Sequence, residues 1–124
     1  NGKAKKLMTN DDFEKLVDEA LESLPSFFKE KLDNVEVVVE EWPKQDVTQG
    51  RLLLGLYQGV PKTTYGKSYA ILPDKITIFK GPIELLSRGD SKVAKNLVTD
   101  TVKHEIAHHF GISDRRIDEI KRKS

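Results

Sequence analysis

The chain has 124 residues, 37% hydrophobic and 33% charged, with lysine plus arginine against aspartate plus glutamate at 21 to 20, a formal net charge of +1. That balance gives no general pull towards nucleic acid or an anionic membrane, and the length suits one domain with one core over residues 8–124. There is no cysteine, which excludes disulfides, thiolate metal sites and cysteine nucleophiles, so any metal must be held by nitrogen and oxygen.

No apolar run approaches the roughly 18 residues of a membrane span, and the expected location is cytoplasmic. Residues 1–7 carry charge without an apolar core, so they read as a flexible or artificial N-terminus rather than a signal peptide. Thr9 or Asn10 then caps a helix whose first turn is acidic and whose Phe13, Leu16, Val17, Ala20, Leu21 and Leu24 follow the 3.6-residue period. Pro25 stops it and opens a short second helix with Phe28 and Leu32 on one face, broken at Asp33 and Asn34. A DNA-reading role for this helix pair is disfavoured, because Lys29, Glu30 and Lys31 offer only mixed charge.

Residues 35–41 are β-branched and partly alternating, a strand ended by Trp42 and Pro43. Residues 51–57 form an apolar run bounded by turn residues, expected as a second strand. Residues 58–74 are too long and irregular for a simple hairpin turn, and loops of that kind in small domains are often functional. Residues 75–80 alternate as a third strand, expected to offer an edge to an extended substrate, and Gly81-Pro82 starts a helix. The expectation is an α+β fold, a small sheet of about three strands packed against helices.

Asp90 or Ser91 caps the next helix, and Gly111, able to adopt the left-handed conformation, ends it. Taken at 100° per residue, Val93, Leu97, Thr101 and His108 cluster about His104, which places the histidines on an apolar, inward face. A central helix buried nearly all round is expected. Ser113 or Asp114 then begins a last helix.

All three histidines of the protein lie in the stretch His104-Glu105-Ile106-Ala107-His108-His109-Phe110-Gly111-Ile112-Ser113-Asp114. The H-E-x-x-H spacing sets two imidazoles one helical turn apart with a glutamate beside them, and a shuffled chain of this composition would contain it in roughly one case in two hundred. His104 and His108 can converge on one zinc ion; a catalytic zinc takes three protein ligands and an open position, so a third ligand must come from elsewhere. Glu105 is placed to take a proton from a metal-activated water and return it to a leaving amine, which is metal-assisted hydrolysis of an amide.

His104-Glu105-x-x-His108-x-x-Gly111-x-x-Asp114 resembles the zincin metallopeptidase motif in its H-E-x-x-H-x-x-G-x-x-D form. From Met8 onward the chain resembles the minimal zincin-like domains of bacteria, with segments such as Leu54-Gly55-Leu56-Tyr57-Gln58-Gly59-Val60-Pro61 and Gly81-Pro82-Ile83-Glu84 as weaker witnesses. The resemblance implies a zincin-like fold, one Zn2+ on His104, His108 and Asp114, Glu105 as base, and a peptide or protein substrate.

Spacing agrees with Asp114 as the third ligand. Sixteen residues follow His108 (124 − 108), which leaves no room for a glutamate ligand on a distant second helix. Glu119 alone is available, near the end. The strict metzincin pattern fails, since it needs a third histidine at position 114 and a downstream methionine, and the one methionine is Met8. Asp114 could instead cap the last helix, a job open to Ser113.

His109 lies about 140° round from His104, too far to join the same ion, and reads as a packing or supporting histidine. Tyr57, Tyr65, Tyr69, Arg115 and Arg116 are candidates for stabilising charge on the reacting carbonyl. The rival to an enzyme is a non-catalytic zinc-binding domain acting as a structural or partner-binding module. A DNA-associated regulator is a weaker rival, against which the balanced charge counts.

Overall fold

The computed structural model describes residues 8–44, 48, 50–59, 73–113, 115–116 and 118–119. Helix α1, Asn10–Glu22, starts where the Thr9 hydroxyl accepts from the Asp12 N–H at 3.1 Å, and Asp11 and Asp12 sit in its first turn, where the helix dipole favours negative charge. Its apolar period buries Phe13, Leu16, Val17 and Ala20. Pro25 precedes α2, Ser26–Lys31, which buries Phe28. Asn34 then takes a left-handed turn, φ 59°, into strand β1, Val35–Glu40, a conformation that asparagine tolerates better than most residues.

Strand β2 is Gly55–Gln58 and β3 is Asp74–Phe79. The sheet is mixed, in the order β1-β3-β2. β1 runs parallel to β3, with Val35 opposite Asp74 and Glu40 opposite Phe79, and β2 runs antiparallel to it, with Gly55 opposite Ile78 and Gln58 opposite Lys75. β3 is therefore the central strand. Ile76, Thr77, Ile78 and Phe79 are all buried, as expected for a strand flanked on both edges and covered on both faces.

Two strand expectations are corrected here. The third strand has no free edge; among the described residues the edges of the sheet are β1 and β2. The second strand begins only at Gly55: residues 51–54 lie outside it, although the Leu54 carbonyl still accepts from the Phe79 N–H at 2.9 Å, and Leu52 is 49% exposed. A run of leucines satisfies the pattern of a buried strand, but the same pattern serves an extended segment bordering a groove.

β3 passes directly into α3, Lys80–Ser87. Lys80 opens this helix and is buried, its amine 3.0 Å from Asn10 Oδ1 and 3.8 Å from both Glu41 and Glu84. A buried ammonium is tolerated where charge partners and an acceptor surround it. Arg88 and Gly89, with φ 53° and 79°, turn the chain into α4, Ser91–Phe110. Ala94, Val98, Val102 and Ile106 of α4 join Phe13, Leu16, Val17 and Ala20 of α1 and Ile76 and Ile78 of β3 in one fully or nearly fully buried cluster. The fold is α+β: the described residues form a three-stranded mixed sheet and the helices α1 to α4, and no helix among them is long and apolar enough to cross a membrane. The expected loop over residues 58–74 lies mostly outside the described residues, as do residues 1–7.

Candidate metal centre

Helix α4 is fixed at both ends by its own sequence. Asp90 accepts from the N–H groups of Lys92 at 2.9 Å and Val93 at 3.2 Å. At the other end Gly111, φ 67°, lets the Ile112 N–H reach the Ala107 carbonyl at 2.7 Å and its own N–H point back to the His108 carbonyl at 3.4 Å. This is the paired closure typical of a left-handed helix end. It redirects the chain immediately after the second motif histidine, while Ile112 packs on the core.

The buried stripe of α4 runs through Ala94, Val98, Thr101, Val102 and Ile106. His104 and His108 are exposed, and so are Asp100 and Phe110. The expected inward-facing histidines and all-round burial are thus corrected: the inward direction lies about 140° round the helix from His104 at 100° per residue. Apolar residues occur on both flanks of the motif, so periodicity did not distinguish the flank that meets α1 and the sheet from the one that meets solvent. Val93, counted with the apolar face, is 41% exposed.

His104 and His108 share the solvent side one turn apart, and neither makes a hydrogen bond or ion pair with another described residue. Glu105 is half-buried beside them, and its Oε1 accepts from the backbone N–H of Tyr57 at 2.8 Å. β2 can approach this turn so closely because residue 55 is glycine. A Cβ there would stand 2.6 Å from the Thr101 methyl of α4 and 3.0 Å from the Thr77 carbonyl oxygen of β3.

Tyr57, a candidate for stabilising charge on the reacting carbonyl, is committed elsewhere. Its hydroxyl donates to Asp74 Oδ2 at 2.7 Å, and its ring stacks on His109 with centroids 4.0 Å apart and planes 22° from parallel. Burial, then the hydrogen bond and charge of Asp74, push the phenol well above its ordinary range, so it stays protonated. His109 also meets Phe110 edge-on, and its Nε2 is 3.8 Å from Asp74 Oδ2. Arg115 and Arg116 pair with Glu119. Tyr65 and Tyr69 lie outside the described residues.

Asp114 also lies outside the described residues, although residues 115, 116, 118 and 119 are helical, where the last helix was expected. Among the described residues no group of three histidine, aspartate or glutamate side chains is placed to hold a metal ion. What the described residues provide is a donor pair of two imidazoles, one turn apart, solvent-facing and uncommitted, with a carboxylate beside them. That chemistry fits a divalent zinc ion, which takes neutral imidazole nitrogen readily and needs further ligands to complete its shell.

Two features of the site were not read from the sequence. One is Asp74, which closes the contact with Tyr57 and His109; residues 57, 74 and 109 meet only through the tertiary fold. The other is an open groove of about 270 Å³ beside His104 and Glu105, walled by Leu52, Leu53, Leu54 and Gly55 on one side and Leu97, Asp100 and Thr101 of α4 on the other. The leucine run was the available signal.

A mixed three-stranded sheet whose antiparallel edge strand lies against a helix carrying an exposed H-E-x-x-H turn defines a small zincin-like domain. A family model described as zincin-like metallopeptidase matches residues 32–123, and the chain belongs to that family. A comparison with curated proteins found no match to the chain.

Proposed function

We propose that this protein is a zinc-dependent peptidase-like hydrolase in which His104, His108 and Asp114 hold one zinc ion per chain and Glu105 is the general base. The observation that carries the reading is the exposed pair His104 and His108, with His104 and Glu105 lining the leucine-walled groove. A purely structural zinc site is normally closed by four protein ligands, whereas this pair faces solvent beside a space for substrate. Bound zinc lowers the pKa of a coordinated water to about 7 and polarises a carbonyl. Glu105 takes the proton from the attacking water and delivers it to the leaving amine.

The substrate fitting this site is a peptide or protein segment. Its extended backbone lies along the β2 edge, and an apolar side chain next to the scissile bond enters the groove between Leu52, Leu53, Leu54 and Leu97. Burying such a side chain contributes about 1.5–3 kcal/mol. A cytoplasmic location accords with the cysteine-free chain, and the balanced charge favours neither nucleic acid nor membrane as a partner.

Metal content of protein purified without chelator, measured together with cleavage of a broad peptide panel, tests the proposal. Wild type should carry about one zinc and cut; Glu105→Ala should keep the zinc and lose roughly 10²–10⁴ in kcat. Asp114→Ala should lose most of the metal, and unchanged stoichiometry would reduce Asp114 to a helix cap. A metal-loaded wild type that cuts nothing in the panel would overturn the peptidase reading in favour of a non-catalytic zinc-binding module.

A further inference from the structure

Among the described residues β2 is an edge strand, and its main-chain groups alternate in direction. The Phe79 N–H donates to the Leu54 carbonyl at 2.9 Å, and Leu56 stands opposite Thr77. The even-numbered residues therefore turn their backbone towards β3, while Gly55 and Tyr57 turn theirs outward, as antiparallel pairing requires. The outward N–H of Tyr57 is the one that Glu105 Oε1 accepts, at 2.8 Å. The same residue is held at two further points, by its hydroxyl on Asp74 at the start of β3 and by its ring on His109 at the end of α4. Three contacts from two elements, α4 and β3, therefore fix the position of one amide of β2.

We infer that Tyr57 is a positioning residue for the base: its backbone amide fixes Oε1 of Glu105 and leaves Oε2 for proton transfer, while Asp74, through the phenol, keeps that amide in place. The inference rests on Glu105 being the base. Oε2 makes no hydrogen bond to any described residue, and a carboxylate that has given one lone pair to an amide keeps the rest for the water. A glutamate has three side-chain torsions to fix. Holding one of its oxygens before the reaction removes that ordering from the barrier, which is how preorganised polar groups raise kcat.

The first arm of the test needs neither metal nor turnover. In the ¹H–¹⁵N spectrum of the metal-free protein the Tyr57 amide proton should lie downfield, as a charge-assisted bond dictates, and should move upfield in Glu105→Ala. A Tyr57 amide unaffected by Glu105→Ala would overturn the inference. In the second arm, Tyr57→Phe and Asp74→Asn should each lower kcat roughly tenfold, with KM and zinc stoichiometry unchanged. The double variant should be no worse than either single change, because both act through one chain of contacts. A loss confined to KM or to melting temperature in both single variants would also overturn it, since that is the signature of a merely structural contact. If Glu105→Ala retains turnover, Glu105 is not the base, and that outcome is separate from the spectral one.

Discussion

The two sides of α4 differ in what they contribute. Ala94, Val98, Val102 and Ile106 are fully buried against α1 and the sheet, whereas His104 and His108 stand in solvent about 140° and 100° round the same helix. One side supplies apolar burial and holds the helix down; the other carries polar groups that the fold does not need. Because the helix is anchored from behind and capped at both ends, its outer side can be altered with little effect on the fold. Glu105 and Thr101 lie on the seam between the sides, where α4 meets the β2 edge.

The contrast is sharpest in single substitutions. Ile106→Ala, on the buried side, should cost about 2–5 kcal/mol in denaturant unfolding of the metal-free protein; a loss below about 1 kcal/mol would mean that the buried side is not what anchors the helix. Gly55→Ala, at the seam, brings a methyl group against the Thr101 side chain and the Thr77 carbonyl. It should destabilise by about 1–3 kcal/mol and separate β2 from the site, seen as loss of amide-exchange protection along β2. Asp90→Ala removes the acceptor for two N–H groups at the start of α4 and should cost about 0.5–2 kcal/mol while leaving zinc binding intact. The smallest effect is expected from His104→Ala, within about 0.5 kcal/mol of wild type without metal. Added zinc should raise the melting temperature of wild type and not of this variant, and an equal rise in both would place the metal elsewhere.

Much of the fold was legible because it rests on local chemistry. Thr9, Asp90 and Gly111 mark helix ends by side-chain acceptors and a left-handed turn, and each bounds its helix in the structure. The β-branched runs gave β1 and β3 to within a residue or so. The leucine run before Gly55 fits the pattern of a strand although only its last residue, Leu54, is bonded to β3, because apolar composition reports that a segment touches apolar surroundings and not that its backbone is paired. The place of β3 at the centre of the sheet was also illegible, since strand order follows from which edges meet and not from the pattern within a strand.

The sequence by itself determined the chemistry at hand: two imidazoles one turn apart with a carboxylate between them, on a helix with defined ends, in a chain without thiols. Spacing along a helix fixes such a set, because 3.6 residues per turn is a property of the backbone alone. Tertiary structure decided which way that set faces, which strand lies beside it, and what holds Glu105. Those depend on Val98, Val102 and Ile106 meeting α1 and the sheet, on Gly55 admitting α4, and on Tyr57, Asp74 and His109 converging from three elements. Burial and close approach are relations between distant segments, and no local pattern encodes them.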